Sequence, residues 1–227
     1  MENKTGKYLK YAFGEIVLVV IGILIALSIN NWNENRKLND TIKGVYSIVK
    51  SDLLSDIETI DNVLIATQFR DSIFKQVINR KITYDDYLKC NQCMKILNGF
   101  PDIKLRTRGL KLLEENSAVL NSFQDSLSVE IYDFYSYNNT EIDASINEVQ
   151  DDFDDNQYYF KNNKPWFTDY INGKVNSEFI EYALTSTDYI NRVNNFYTVY
   201  YTIYLGQLKA YREEALVLIE NINRKII

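Results

Sequence analysis

Glu15-Ile16-Val17-Leu18-Val19-Val20-Ile21-Gly22-Ile23-Leu24-Ile25-Ala26-Leu27-Ser28-Ile29-Asn30-Asn31-Trp32-Asn33 is the stretch on which the reading of the whole chain turns. From Ile16 to Ile29 it carries no charge, which a helix on the surface of a soluble domain does not tolerate. Those residues span about 21 Å as a helix, less than a hydrocarbon core of about 30 Å, so the segment must recruit Tyr11 to Glu15. The expectation is a transmembrane anchor over residues 11–33, with Trp32 as its interface anchor, in contact with the lipid bilayer.

Outward from this stretch, residues 1–10 form a short head with Lys4, Lys7 and Lys10 against Glu2. Positive charge is retained inside, so a cytoplasmic N-terminus is expected. Arg36, Lys37 and Lys43 nearly balance that count, and the shortness of the head decides the orientation. A cleaved signal peptide ending at Ala26-Leu27-Ser28 is the competing reading. The acid at Glu15 and the bulky Ile29 to Trp32 favour an uncleaved helix.

On a helix turning about 100° per residue, Glu15, Gly22, Ala26 and Asn33 fall on one line. Gly22-x-x-x-Ala26 has the small-xxx-small spacing that lets backbones approach in lipid, and an ionisable group at membrane depth calls for a partner. That line is either a packing seam, for a membrane-protein partner or for self-association, or the incidental surface of a lone anchor.

Residues 34–227 are long enough for one ordinary domain. With only 8 glycines and 2 prolines in 227 residues, long helices with short connections are favoured over strands and turns. The fold class is therefore all-α: an N-terminal transmembrane helix continuing into an antiparallel helical bundle. A net charge of -6 without a dense basic tract argues against a nucleic-acid partner. The chain has no histidine, which removes histidine-based triads, dyads and the usual metal sites. No catalytic residue, metal or cofactor is expected, because no acidic pair stands in an evidently apolar setting.

Tyr8-Leu9-Lys10-Tyr11-Ala12-Phe13-Gly14-Glu15-Ile16, Val19 to Leu27 and Asn30-Asn31-Trp32-Asn33-Glu34 together resemble the N-terminal signature of a bacterial membrane-protein family, the domain of unknown function 6090. The resemblance implies a single-pass protein of the inner membrane with a helical domain on its periplasmic side, and it brings no activity. Ser28 stands where the resemblance leads one to expect glutamine, and would make a shorter interhelical hydrogen bond.

Beyond the collar, Leu38, Ile42, Val45, Val49, Leu53, Ile57, Ile60 and Leu64 recur at helical steps with Asp52, Asp56, Glu58 and Asp61 between them. They predict a stalk and first helix over 34–79, with Gly44 as a candidate bend, pairing either in trans or against later helices in cis. Thr83 caps a second helix carrying Tyr87, Cys90, Cys93 and Met94 and ending near Asn98-Gly99. Cys90 and Cys93 are either a disulfide, tight for an i,i+3 helical pair, or two half-buried thiols. Lys104, Arg106, Arg108 and Lys111 form the domain's basic concentration: a solvated face, or a patch for an anion or an acidic partner.

Further helices are expected over Ser122 to Phe160, Ser177 to Leu184 and Thr187 to Lys225. The run Asp151-Asp152-Phe153-Asp154-Asp155 lacks the ligand spacing and turn glycine of a calcium loop and is expected to be a solvated face. Trp166 and Phe167 are expected to cap the core, and the chain's 18 tyrosines to pack core and rim. The function class is an interaction module, namely an accessory, scaffold or sensor subunit of an envelope complex. The alternative is a sensory bundle that takes a ligand between its helices.

Overall fold

The computed structural model describes residues 4–90, 92–117, 120 and 126–226, with side chains from residue 11 onward. Helix α1 (Lys4–Ile78) runs without interruption from the apolar stretch into the domain. It is followed by α2 (Tyr84–Lys89), α3 (Arg108–Glu115) and α4 (Ser126–Asn163). Then come α5 (Phe167–Ile171), α6 (Ser177–Thr185), α7 (Thr187–Tyr197) and α8 (Leu205–Ile226). No strand occurs among the described residues, as the all-α reading requires.

The first helix pairs in cis. Asp56 with Tyr211, Thr67 with Tyr201 and Asp71 with Tyr197 run in opposite orders along the chain, so the α7–α8 rod lies antiparallel to α1. Glu130 with Asn221, Asn138 with Glu214 and Asp152 with Asn195 set α4 antiparallel to the same rod. Helix α3 returns along α1 in the opposite direction, since Arg106 meets Asp56 and Gly109 meets Asp52.

Burial follows from sequence phase. On α1, Ile42, Val49, Leu53, Ile60, Phe74 and Val77 are all enclosed by the other elements. The helix carries on through Gly44 without a break, and the flanking Ile42, Val45 and Tyr46 are buried. A β-carbon at Gly44 would meet nothing, whereas one at Gly109 would lie 2.7 Å from the Val49 α-carbon. Glycine at 109 is therefore what lets the start of α3 sit directly on the α1 backbone.

Two other elements depart from expectation. The helix after Thr83 ends at Lys89, and Cys93–Lys95 form a short 3-10 turn. Cys93, Met94, Ile96 and Leu97 are all buried, a set that spreads too widely around a regular helix to face one core. Arg70 Nη2 satisfies the carbonyls that the irregular turn leaves free, donating to Ile96 O at 2.7 Å and Gly99 O at 2.6 Å. The long helix from Thr187 is continuous in direction but passes through a π-helical segment, Thr198–Tyr204, between α7 and α8. Of the helix expected from Ser122, residues 122–125 lie outside the described set, and it runs three residues past Phe160.

At the end of the bundle far from the apolar stretch, Trp166, Phe160, Tyr170, Phe179 and Tyr189 stack in edge and tilted contacts, with Trp166 and Phe179 centroids 4.9 Å apart. Trp166 is buried and Phe167 half-buried, as expected of residues closing a core.

Candidate functional site

Along α1, every described residue from Tyr11 to Asn31 is solvent-exposed, including Leu18 at 72% and Trp32 just beyond at 64%. An apolar surface of this extent on all sides of a helix is unlike that of a helix packed in a soluble domain. This is the one helix, among the described residues, long and apolar enough to cross a membrane. Glu15, Gly22 and Ala26 are likewise exposed and Asn33 half-exposed, with nothing within 4 Å of a β-carbon built at Gly22. Ser28 donates to Leu24 O at 2.8 Å within its own helix. At the upper end, the Arg36 guanidinium lies 5.5 Å from the Trp32 ring centroid and donates to Asn33 Oδ1 at 3.3 Å.

Inside the bundle the sequence expectation fails at Asp52 and Asp56. Both are buried, one turn apart, on the same α1 face as Val49 and Ile60. Asp56 accepts from the Arg106 backbone N–H at 3.1 Å, from Arg106 Nη1 at 2.9 Å and from the Tyr211 hydroxyl at 3.0 Å. Asp52 Oδ2 accepts from the Gly109 N–H at 2.7 Å. The Tyr135 hydroxyl is buried beside them without a hydrogen-bond partner. Burial raises the Asp56 carboxyl above its ordinary range, against the lowering effect of Arg106 and Tyr211. Burial likewise raises Tyr211 and Tyr135, and the neighbouring aspartates add to it.

The two aspartates therefore act as a clasp: they take the backbone donors of the extended strap 102–107 and of the start of α3, and bind both to α1. The π-helical segment holds the same strap from the other side. The Tyr200 hydroxyl donates to Pro101 O at 2.9 Å, and Tyr204 donates to Asp102 Oδ1 at 3.2 Å while accepting from Ile103 N–H at 3.3 Å. The sequence signal for the clasp was phase: Asp52 and Asp56 share the angular sector of Val45, Val49 and Ile60.

The basic concentration is thereby divided. Arg106 is committed to Asp56, while Lys104, Arg108 and Lys111 are exposed. Cys90 and Cys93 are joined in a disulfide with α-carbons 5.3 Å apart, placed in the turn after α2 and so free of the helical tightness expected for the pair. The acidic run at the end of α4 is partly spent within the fold. Asp155 pairs with Arg192 at 2.9 Å, and Asp152 accepts from Asn195 and Asn156. No group of three or more acidic or cysteine side chains suited to a metal occurs among the described residues.

These features define an all-α chain in which one helix, apolar enough to cross a membrane, is also the first helix of a packed bundle. Residues 15–108 match the model of a family of unknown function, DUF6090, in agreement with the resemblance carried by the first residues. The matched region takes in the apolar stretch, the whole packed length of α1, the cysteine pair and the strap up to Arg108. No curated protein and no solved structure matches the chain.

Proposed function

We propose that this protein is a membrane-anchored interaction module of the bacterial envelope, a non-catalytic accessory, scaffold or sensor subunit. It sits in the inner membrane with residues 1–10 in the cytoplasm and the bundle in the periplasm. The observation that carries the reading is the unbroken passage of α1 from a fully exposed apolar segment into the centre of the bundle. A flexible tether would localise a domain equally well. A rigid helix shared by bilayer and core also fixes how the domain stands relative to neighbours in the membrane.

Two further observations support it. The Cys90–Cys93 disulfide suits an oxidising compartment. The bundle interior is filled by large side chains, with Tyr46, Phe74, Phe160, Phe179 and Phe196 fully enclosed, which favours an interaction module over a bundle that opens around a ligand. The line of Glu15, Gly22, Ala26 and Asn33 is the surface offered to a partner within the bilayer.

The test is fractionation with topology labelling. The chain is expected to stay with membranes through an alkaline carbonate wash. After reduction, its two thiols are expected to react with a membrane-impermeant maleimide once the outer membrane alone is opened. Labelling only after full lysis would move the bundle to the cytoplasm, and release by carbonate would remove the anchor.

A further inference from the structure

The two sulfurs of the Cys90–Cys93 disulfide are unequally placed. Cys90 is half-buried just after the end of α2, whereas Cys93 is 5% exposed and buried with Met94, Ile96 and Leu97. A thiol arriving from solvent therefore finds Cys90 the more accessible of the two. The Cys93 backbone N–H turns back toward it, donating to Cys90 Sγ at 3.1 Å as well as to Cys90 O at 3.0 Å.

The bridge carries little of the fold. It closes a loop of only four residues, too short to remove much freedom from the unfolded chain. Both of its flanks are secured by other groups. Ahead of it, the Thr83 hydroxyl and the Asp86 carboxylate cap α2 reciprocally, and Tyr87 is fully buried in edge contact with Phe179. After it, Arg70 Nη2 donates to Ile96 O and Gly99 O, and Gln157 Nε2 donates to Leu97 O at 2.9 Å. The S–S bond can therefore open while its neighbours stay packed.

We infer that Cys90–Cys93 is a thiol–disulfide exchange site whose substrate is an external dithiol. The inference goes beyond the interaction role and does not depend on which side of the membrane the bundle occupies. In the first step a thiolate of the dithiol attacks Cys90 Sγ, forming a mixed disulfide. The Cys90–Cys93 bond breaks, and Cys93 leaves with the electron pair and takes up a proton. The second thiol of the substrate, deprotonated in turn, attacks its own sulfur in the mixed bond, and Cys90 leaves as a thiolate that is then protonated. The substrate ends as a disulfide and the cysteines as two thiols. Two electrons and two protons have passed between them, with no other reactant needed. Burial of Cys93 directs the first attack to one sulfur. The Cys93 N–H assists the second step, because a donor 3.1 Å from Cys90 Sγ stabilises the charge on the departing thiolate.

The test uses the full chain, purified in detergent with its disulfide formed, and an unstructured peptide carrying two reduced thiols. Wild type is expected to convert an equimolar share of excess peptide to its disulfide, while its own thiols become open to alkylation and its near-ultraviolet spectrum is retained. A bridge that yields to the peptide only in urea would overturn the inference, and so would loss of the near-ultraviolet spectrum on reduction. The order of attack is read with oxidised glutathione as the probe. Cys93→Ser, which leaves the Cys90 thiol, is expected to form the glutathione adduct about tenfold faster than Cys90→Ser, which leaves Cys93. Equal rates, or a faster Cys93, would overturn Cys90 as the exchanging sulfur. Because either serine variant can fail to fold, the order is also read in wild type by acid-trapping the mixed disulfide early in the peptide reaction and mapping its position. Peptide attached to Cys90 is expected, and peptide attached to Cys93 would overturn the assignment.

Discussion

Arg106 reaches Asp56 through two separate groups, its backbone N–H at 3.1 Å and its guanidinium Nη1 at 2.9 Å, so a single buried carboxylate fixes both the path and the side chain of the strap. The guanidinium is 44% exposed while the carboxylate is 1% exposed. The two partners therefore should not be equal in mutational cost.

Asp56→Ala is expected to lower stability by about 2–4 kcal/mol, because it strands the Arg106 N–H and the Tyr211 hydroxyl in the interior. Arg106→Met keeps the backbone donor in place and screens its charge loss with solvent, so about 1 kcal/mol or less is expected. Urea unfolding of the full chain in detergent measures both. Equal costs would mean that the clasp does not hold the strap through its backbone.

The same carboxylate sets a pH dependence whose sign follows from its raised pKa. Folded Asp56 holds its proton to higher pH than the unfolded chain does, so its contribution favours the fold at low pH and is lost as pH rises through the folded value. The stability of wild type relative to Asp56→Asn should therefore grow as pH falls. Asp86 behaves oppositely. Its hydrogen bonds from the Thr83 hydroxyl and backbone lower its pKa, so the benefit over Asp86→Asn is present at neutral pH and fades on acidification. Unfolding curves from pH 4 to 7 compare the two slopes, and parallel slopes would refute the assignment.

Glycine substitutions separate close approach from mere helix propensity. Gly109→Ala drives a β-carbon into the Val49 backbone and is expected to cost about 1–3 kcal/mol. Gly44→Ala meets no atom and should stabilise the helix by about 1 kcal/mol. Thermal unfolding of the pair gives opposite shifts in Tm if α3 is seated as described.

Reducing the Cys90–Cys93 disulfide opens a loop of only four residues, worth about 2 kcal/mol by loop-closure entropy. Arg70 holds the same segment through Ile96 and Gly99 carbonyls, so the reduced protein is expected to remain folded with a modestly lower Tm. Arg70→Met should cost at least as much as reduction. Loss of the near-ultraviolet signal on reduction alone would show that the bridge, rather than Arg70, secures the turn.

Helix α1 was legible because the three- and four-residue steps from Leu38 to Leu64 carry into a stretch with no polar interruption, and both signals extend over many turns. The expected bounds of α6 and start of α7 lie within a residue of those observed, where the Asn176 and Ser186 side chains accept from the first turn of each helix. The clasp was not. Asp52 and Asp56 look like solvent residues until α3, whose Gly109 allows the approach, supplies donors more than fifty residues away in sequence. The π segment Thr198–Tyr204 was invisible for a related reason: its tyrosines keep helical spacing, and the five-residue bond, Leu205 N–H to Tyr200 O, lies beside a strap about a hundred residues away in sequence. In the basic concentration, adjacency in sequence does not show that Arg106 alone reaches a buried carboxylate, Asp56.

An unbroken α1 also makes the geometry of the molecule a matter of residue count. Asn33 and Ile78 are separated by about 68 Å of helix axis, so the aromatic end of the bundle has a fixed elevation above the collar. From Glu34 to Thr41 every residue but the half-buried Leu38 is exposed, so little in the packed domain resists a change of length there. Removing seven residues there would lower the bundle by about 10 Å and turn it by only about 20°, whereas removing four would turn it by about 40° for about 6 Å of descent. Elevation and azimuth are thus separately adjustable in this architecture, each by a whole number of residues.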